Sequence, residues 1–423
     1  MRHVSSQLPA LAGQSVSLKG WVHRLRDFGG LRFLVLRDRG GLAQVVVPPS
    51  IDLGDVGCES VVEVKGRVRA EPRAPGGFEV GADSVTPISR AEQPPFEVYL
   101  PKHADIARLD TLLDHRAISL RMPAVLEVFR VESEIVRAFR EHLVSEGFTE
   151  IFTPKLVLAG AEGGSSLFEV KYYDGSAYLA QSPQFYKQMM VGSGLERVFE
   201  IGHAYRAEKS ETSRHLTEFV SMDLEMGFIE SEQDVMRLLG GTLASIFEAL
   251  RSRKVAAPTI SGEIPQVSYL EAVEILASKH NKTTGLEGDL DTEGERLIGQ
   301  WAKEELSSDL LFVTGYAVER RPAYTMPSPT DPRYTASFDL LYRGVEICTG
   351  GQRIHDYAQL VESLTRRGMN VSNVEGYLEA FRHGMPPHGG MGMGLERLTK
   401  QLLGLDNVKQ ACLFPRDRSR LVT

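Results

Sequence analysis

Cysteine is scarce: Cys58, Cys348 and Cys412 stand isolated in a chain of 423 residues. Their positions give neither metal-ligand spacing nor an even disulfide framework. No run approaches the roughly 20 consecutive apolar residues of a membrane-spanning helix, and the first residues lack the apolar core of a secretion signal. A cytoplasmic setting with no membrane attachment is the expectation. The chain also lacks overall positive charge, its formal net charge being −8. That argues against a polyanionic partner until the distribution is read. Residues 1–50 hold seven Lys and Arg (Arg2, Lys19, Arg24, Arg26, Arg32, Arg37, Arg39) against two acids (Asp27, Asp38), a local +5 that leaves −13 for the remainder. A basic module on an acidic body can bind polyanions through its local field; a solvated basic sheet surface is the plainer alternative. There is no internal repeat and no low-complexity tract.

What is present divides the chain in two. "VSLKGWVHRLRDFGGLRFLVLRDRGGLAQVVVP" alternates apolar and polar residues, with turns at Asp27–Gly30 and Arg39–Gly41, the pattern of a strand meander. "VVEVKGRVRAEPRAPGGFEVGADSVTPIS" continues it through a turn at Ala74–Gly77. Five such strands predict a small closed barrel, and basic and aromatic residues on its face favour an OB-fold over residues 1–102. Residues 103–122 read as a linker and helical hinge. From Pro123 the period changes: Val128, Val131, Ile135, Phe139 and Leu143 recur at helical spacing, with Pro123 suited to the first turn and Gly147 to the stop. "FTEIFTPKLV" predicts a strand halted near Pro154. "RVFEIGHAYRAE" and "HLTEFVSMDLEMGFI" predict two further strands, and "ASFDLLYRGVEICTGGQR" a hairpin. The fold class is therefore α+β: a barrel followed, over 123–423, by an antiparallel sheet flanked by helices.

Two stretches carry chemistry. In "MPPHGGMGMGLERL", Gly389, Gly390, Gly392 and Gly394 precede Glu396 and Arg397. The spacing is not the G-x-G-x-x-G of a dinucleotide site. A close-packed turn without a ligand is one reading, a backbone approached by a nucleotide the other. In "YRAEKSETSRHLTEF", Arg206, Arg214 and His215 stand on a charged hairpin. Guanidinium forks there suit phosphate oxygens, although such tips are usually only solvated.

Taken in order, the helix and strand ending near Pro154, then "YRAE", then "GMGMGLER" resemble the three-motif signature of class II aminoacyl-tRNA synthetases. The segments "AEGGSSLF", "AQSPQFYKQ", "VEICTGGQR" and "LFPRDRSRL" narrow the resemblance to the short, archaeal-type aspartyl-tRNA synthetases, over essentially the whole chain. That resemblance implies an ATP site of Arg206, Ala207, Glu208, Arg214, His215, Leu216, Phe219, Glu346, Gly394, Leu395, Glu396 and Arg397. Within it Arg206 grips the α-phosphate, Glu208 reads the adenine amino group, and Arg397 with Phe219 sandwiches the base; Arg206, Glu208 and Arg397 carry the catalysis. It implies an L-aspartate site in which Lys187 and Arg353 pair with the side-chain carboxylate. Glu162, Ser182, Gln184, Phe185, Tyr186, Arg206, Asp223 and Thr349 complete that site. Two cationic donors independently favour a carboxylate over an amide, whose hydrogens would meet hydrogens. Glu346, Asp339 and Thr349 are the Mg²⁺ candidates; Thr349 replaces the serine of most archaeal-type relatives.

For the barrel, the resemblance implies anticodon reading by His23, Arg26, Phe33, Gln44 and Pro75, with Phe33 stacking and Gln44 on a base edge. Phe33 in the barrel core is the alternative. His23 and Pro75 stand where strictly aspartate-specific relatives carry tryptophan and lysine, which implies charging of tRNA-Asn as well as tRNA-Asp; drift at surface turns is the alternative. A tRNA-dependent amidotransferase would then be a pathway partner, and the first motif implies a homodimer. The rival functions are a discriminating aspartyl enzyme, an asparaginyl-tRNA synthetase, a synthetase-like asparagine synthetase lacking the barrel, and a non-catalytic RNA-binding paralogue.

Overall fold

The structure is a computed structural model that describes residues 1–29, 31–99, 107–158, 160, 167–207, 212–284 and 289–421. The chain forms two compact units, Met1–Pro123 and Ala124–Thr423.

In the first unit, β1 (Ser15–Phe28), β2 (Leu31–Asp38), β3 (Gly41–Val47), β4 (Val61–Ala70) and β5 (Phe78–Ser89) close into a barrel in the order β1-β2-β3-β5-β4. Alternation puts Val16, Leu18, Val22, Leu34, Leu36, Val45, Val62, Val64 and Val80 into its core. Two short helices follow, α1 (Leu109–Asp114) and α2 (Arg116–Ser119).

The second unit begins within the first turn of α3 (Pro123–Ser145), whose predicted apolar positions are all buried; Gly147, at φ +82°, lets the chain reverse after it. The strand expected next is broken. Only β6 (Thr149–Glu150) joins the main sheet, while β7 (Leu156–Val157) joins a separate three-stranded sheet with β8 (Glu169–Tyr172) and β9 (Gly175–Leu179). Pro154, between them, has no N–H to donate to a ladder. Next come α4 (Gln184–Met190), β10 (Arg197–Tyr205), β11 (Glu218–Gly227), α5 (Glu232–Ser252), β12 (Gln266–Ser268), α6 (Tyr269–His280) and α7 (Thr292–Glu305). The chain finishes with β13 (Leu310–Thr314), β14 (Ser337–Tyr342), β15 (Val345–Arg353), α8 (Tyr357–Arg366), α9 (Glu375–Arg382), β16 (His388–Gly394) and α10 (Leu395–Leu403). The main sheet has the order β12-β13-β14-β15-β16-β11-β10-β6, antiparallel except at its two ends.

One face of that sheet is apolar. Met222, Leu224, Met391 and Met393 pack there with Phe139 and Leu143 of α3 and Leu239, Leu243 and Phe247 of α5. The residues between them, by the period of two, face the opposite way and floor a cleft. The glycine run does not form the close-packed turn that one reading of its composition allowed. It is the central strand β16, and only Gly394 caps α10. No described helix is long and apolar enough to cross a membrane.

Candidate active site

The cleft of about 370 Å³ lies on the polar face of the main sheet. Its floor follows from register. Asp223 of β11 pairs with Gly392 of β16, which pairs with Thr349 of β15, which pairs with Asp339 of β14. The neighbouring row runs Glu225, Gly390, Gly351, Ser337. Glycine opposite Glu225 is a steric requirement, whereas glycine opposite Asp223 relieves a tight contact. A Cβ on Gly390 would stand 2.1 Å from Glu225 Oε2, and one on Gly392 would stand 3.2 Å from Asp223 Oδ1.

Lys187 enters from α4. Gln184, Lys187 and Gln188 share one helical face and are buried, whereas Phe185 points to α9 and stacks on Tyr377 with ring centroids 4.3 Å apart. Lys187 Nζ donates to Asp223 Oδ1 at 2.9 Å and to the Met391 carbonyl at 3.0 Å, with Glu225 Oε2 at 3.4 Å. Arg353 Nε donates to Glu225 Oε1 at 2.9 Å. Burial opposes ionisation of Glu225, but the charges of Arg353 and Lys187 outweigh it and hold its carboxyl below the ordinary range. Behind it, burial lowers His388 to about 4, so its imidazole is neutral. The base of the cleft is thus two cations and two anions, all nearly inaccessible. The side-chain amide nitrogen of Gln184, which lines the same cleft, has no hydrogen-bond partner among the described residues.

Farther along the cleft stand Arg206, Arg214, His215, Leu216, Phe219, Glu346 and Arg397. Arg206 lies over the Phe219 ring at 5.4 Å, and its Nε is buried without a partner among the described residues. Arg397 Nη1 donates to the Glu346 carbonyl at 3.2 Å. Gly394 lines the wall beside Arg397. Glu396 also reaches the cleft, but its carboxylate accepts from the Val220 backbone N–H at 2.9 Å, and burial pushes it up to about 7. Ser182 lines the cleft as well; Ala207, Leu395, Phe185 and Tyr186 do not, and Glu162 and Glu208 lie outside the described residues.

The Mg²⁺ candidates separate. Asp339 faces Arg321 with both oxygens, at 2.9 and 2.7 Å, and the same guanidinium donates to Thr349 Oγ1 at 2.9 Å. Asp339, one of the expected metal ligands, is thus paired with Arg321, which also engages Thr349. Burial, and then the charge of Asp339, raises Asp289 beside it. Among the described residues no three His, Cys, Asp or Glu side chains gather to hold a metal by themselves. A half-exposed carboxylate and an exposed hydroxyl, Glu346 and Thr349, are nevertheless the hard oxygen donors that suit Mg²⁺ carried chiefly by nucleotide phosphates.

On the barrel, Arg26 pairs with Phe33 across β1 and β2, and Val35 with Gln44 across β2 and β3. Phe33 is outside the barrel core, against the exposed Phe28 at 5.9 Å. Gln44 donates to Glu79 at 3.0 Å. Pro75 is exposed. His23 is not at a surface turn: it is 4 % exposed at an irregularity of β1, accepting from Arg37, which also binds the buried Glu59. Burial and then Arg37 lower its pKa.

Sequence reasoning missed Glu225, Glu295, Asp289 and Arg321. Glu225 continues the alternation of Ser221 and Asp223 and was findable from it. The others sit in stretches with no motif.

A closed five-stranded OB barrel and an antiparallel sheet with an Arg-rich nucleotide-sized cleft define a class II aminoacyl-tRNA synthetase. The chain matches the family described as "tRNA synthetases class II (D, K and N)" over residues 108–418 and "OB-fold nucleic acid binding domain" over 16–88. It belongs to that class II synthetase family. It is 47% identical to the aspartate–tRNA(Asp/Asn) ligase of Deinococcus radiodurans, covering 99% of this chain and 98% of the relative. It is 42% identical to the aspartate–tRNA(Asp) ligase of Thermococcus kodakarensis, covering 99% of each. Among solved structures, asparaginyl-tRNA synthetase from Pyrococcus horikoshii with asparaginyl-adenylate superposes with a TM-score of 0.92 at 33% identity over the whole of both chains.

Proposed function

We propose that this chain is an aspartate–tRNA ligase that charges both tRNA-Asp and tRNA-Asn. The observation that carries the amino-acid assignment is the pair Lys187 and Arg353, two buried cations at the base of a cleft that continues into an arginine-lined wall. A side-chain carboxylate satisfies both, whereas an amide would turn donors toward donors. Asp223 and Gln184 flank the ammonium side, with Ser182 beside them.

No enzyme nucleophile is required. An oxygen of the aspartate α-carboxylate attacks the α-phosphorus of ATP in line. The bond to the β-phosphate breaks, giving aspartyl-adenylate and pyrophosphate. The tRNA 3′-terminal hydroxyl oxygen then bonds to the adenylate carbonyl carbon, the carbon–oxygen bond to the phosphate breaks, and AMP leaves with its phosphate taking up the hydroxyl proton. Arg206 holds the α-phosphate, Arg214 and His215 the outer phosphates, and Phe219 with Arg397 the adenine, so that alignment and charge stabilisation supply the rate. When bound, Mg²⁺ supplies charge neutralisation on the phosphates, and Glu346 and Thr349 are the residues that would hold it.

The barrel (residues 1–102) reads the anticodon loop through Arg26, Phe33 and Gln44, joined by a hinge (103–122) to the catalytic part (123–423). Non-discrimination rests on His23 and Pro75 and on relatives named for both tRNAs, including that of Thermus thermophilus at 47% identity over all of both chains. Asp-tRNA-Asn would need a tRNA-dependent amidotransferase as pathway partner. Exposed Phe152, Leu156 and Leu158 beside the first motif support a homodimer, and the compartment is the cytoplasm.

Aminoacylation of purified tRNA-Asp and tRNA-Asn with labelled aspartate tests the reading. Both are charged. Strong rejection of tRNA-Asn reduces it to a discriminating enzyme, and pyrophosphate exchange driven by asparagine but not aspartate removes it.

A further inference from the structure

Glu295, on α7, belongs to no recognised motif, yet it occupies a junction of the cleft wall. Its Oε2 accepts from Arg214 Nη2 and, at 3.3 Å, from the backbone N–H of Glu346. Glu346 in turn holds Arg397 by its carbonyl at 3.2 Å and its carboxylate at 3.4 Å. One carboxylate thus ties the turn that carries Arg214 to the hairpin that carries Glu346, and through it to Arg397. Both side chains of the Arg214–Glu295 pair are largely withdrawn from solvent, so this is not the screened surface contact that contributes little.

The helix is placed for this by a second observation. A Cβ on Gly299 would stand 2.4 Å from Gly344 Cα, and one on Gly344 would stand 2.8 Å from Arg296 Cα. Gly344 has φ +72° and forms the turn between β14 and β15. Backbone therefore meets backbone where α7 crosses the hairpin. Glu295, about one helical turn before Gly299, is thereby held at the height of Glu346.

We infer that Glu295 is a positioning residue for ATP: it fixes the Arg214 guanidinium on the cleft wall so that the outer phosphates meet a pre-oriented fork. The inference rests on the assignment of Arg214 to those phosphates. A long side chain ordered before binding gives up less rotamer freedom on contact, so the loss falls on nucleotide binding and not on aspartate. Opposing this, removing a carboxylate makes the wall more positive, which would draw ATP in; orientation and charge therefore predict opposite signs.

The test is ATP–pyrophosphate exchange by the full chain with Glu295→Ala, Glu295→Gln, Arg214→Ala and the double variants, reading KM for ATP and for aspartate separately. Glu295→Ala raises KM for ATP at least about fivefold and leaves KM for aspartate within about twofold. Glu295→Gln, whose amide oxygen still accepts, recovers most of the difference. In the Arg214→Ala background either Glu295 change adds less than about twofold, because the group it positions is gone. An unchanged or lowered KM for ATP in Glu295→Ala overturns the proposal, as does an equal effect in the Arg214→Ala background. If Glu295→Ala does not fold, the same two readings on Glu295→Met, which keeps the side-chain bulk but cannot accept from Arg214, decide, with a rise in KM for ATP that vanishes in the Arg214→Ala background expected. If Arg214→Ala alone leaves KM for ATP unchanged, the nucleotide assignment of Arg214 fails and this proposal falls with it, whereas a normal Arg214 effect with a silent Glu295 removes the proposal only.

Discussion

Lys187 Nζ lies 2.9 Å from Asp223 Oδ1, and both side chains are almost wholly removed from solvent. A lysine from helix α4 and an aspartate from strand β11 thus meet at the base of the cleft, beside a second buried pair, Arg353 and Glu225. The site has equal numbers of positive and negative groups before any substrate enters. On the proposed assignment, an arriving aspartate would bring one ammonium and two carboxylates to groups already in place.

Breaking that pair has two consequences. Lys187→Met leaves Asp223 and Glu225 buried with one counter-charge removed, a change of the kind that costs about 3–5 kcal/mol. We expect a clear fall in melting temperature together with loss of aspartate-dependent pyrophosphate exchange by at least about 100-fold. Retention of exchange would remove Lys187 from the substrate site.

The glycine strand makes a graded prediction. Gly390→Ala drives a methyl to 2.1 Å from Glu225 Oε2 and 2.2 Å from the Leu224 carbonyl, and should destabilise by about 3 kcal/mol, the upper end for overpacking. Gly392→Ala meets Asp223 at only 3.2 Å and should be milder in thermal unfolding while still impairing exchange. Equal melting temperatures for the two would contradict the packing argument.

Glu396 gives the chain a pH signature. Burial raises its folded carboxyl from the ordinary 4.5 to about 7. The folded state therefore binds a proton more tightly than the unfolded chain. This contribution is fully present below pH 4.5 and is lost as pH rises to about 7, to the extent of about 3 kcal/mol. Glu396→Gln should make stability flatter over that window in denaturant titrations at several pH values. A profile as steep as that of the parent chain would assign the slope elsewhere.

Removing divalent cations by chelation should abolish exchange, and added Mg²⁺ should restore it. Glu346→Gln keeps an oxygen but loses the charge, so the Mg²⁺ concentration for half-maximal exchange should rise about tenfold. Asp339→Asn should disturb Arg321 and thermal stability more than the Mg²⁺ requirement, because both its oxygens face that arginine.

On the barrel, Phe33→Ala should raise KM for tRNA about tenfold, given the ~1–3 kcal/mol of a base–aromatic stack. Its melting temperature should move little, since Phe33 is not part of the barrel core. Pro75→Lys is the cleaner probe of tRNA choice, because Pro75 is exposed whereas a tryptophan at the buried His23 would have to displace Arg37 and Glu59. The expected outcome is selective loss of tRNA-Asn charging in a direct comparison of the two tRNAs.

Much of this was legible in the linear chain. Alternation announced the barrel and β11, helical spacing announced α3, and the arginines and glycines of the class II motifs announced residues that meet at one arginine-lined cleft. The breaks in legibility have local causes. β16 allowed the reading of a close-packed turn because composition cannot tell a glycine that bends from one that makes room for a carboxylate on the next strand. The resemblance implied Phe185 as a site residue, but it lies two positions from Lys187 in the helix, on a different face, and packs on Tyr377. His23 looked like a surface residue because a strand irregularity shifts the inside–outside alternation at that position.

The sequence by itself determined which side chains alternate onto one face, which stretches carry a strand or helix period, and which charged residues the motifs hold. Only the tertiary structure decided that Glu225 lies between Arg353 and Lys187, that Arg321 takes Asp339, and that Glu295 holds Arg214. Those partners are 128, 38, 18 and 81 residues apart in the chain. No local period encodes such distances, because strand register and helix docking are fixed by the packing of the whole sheet.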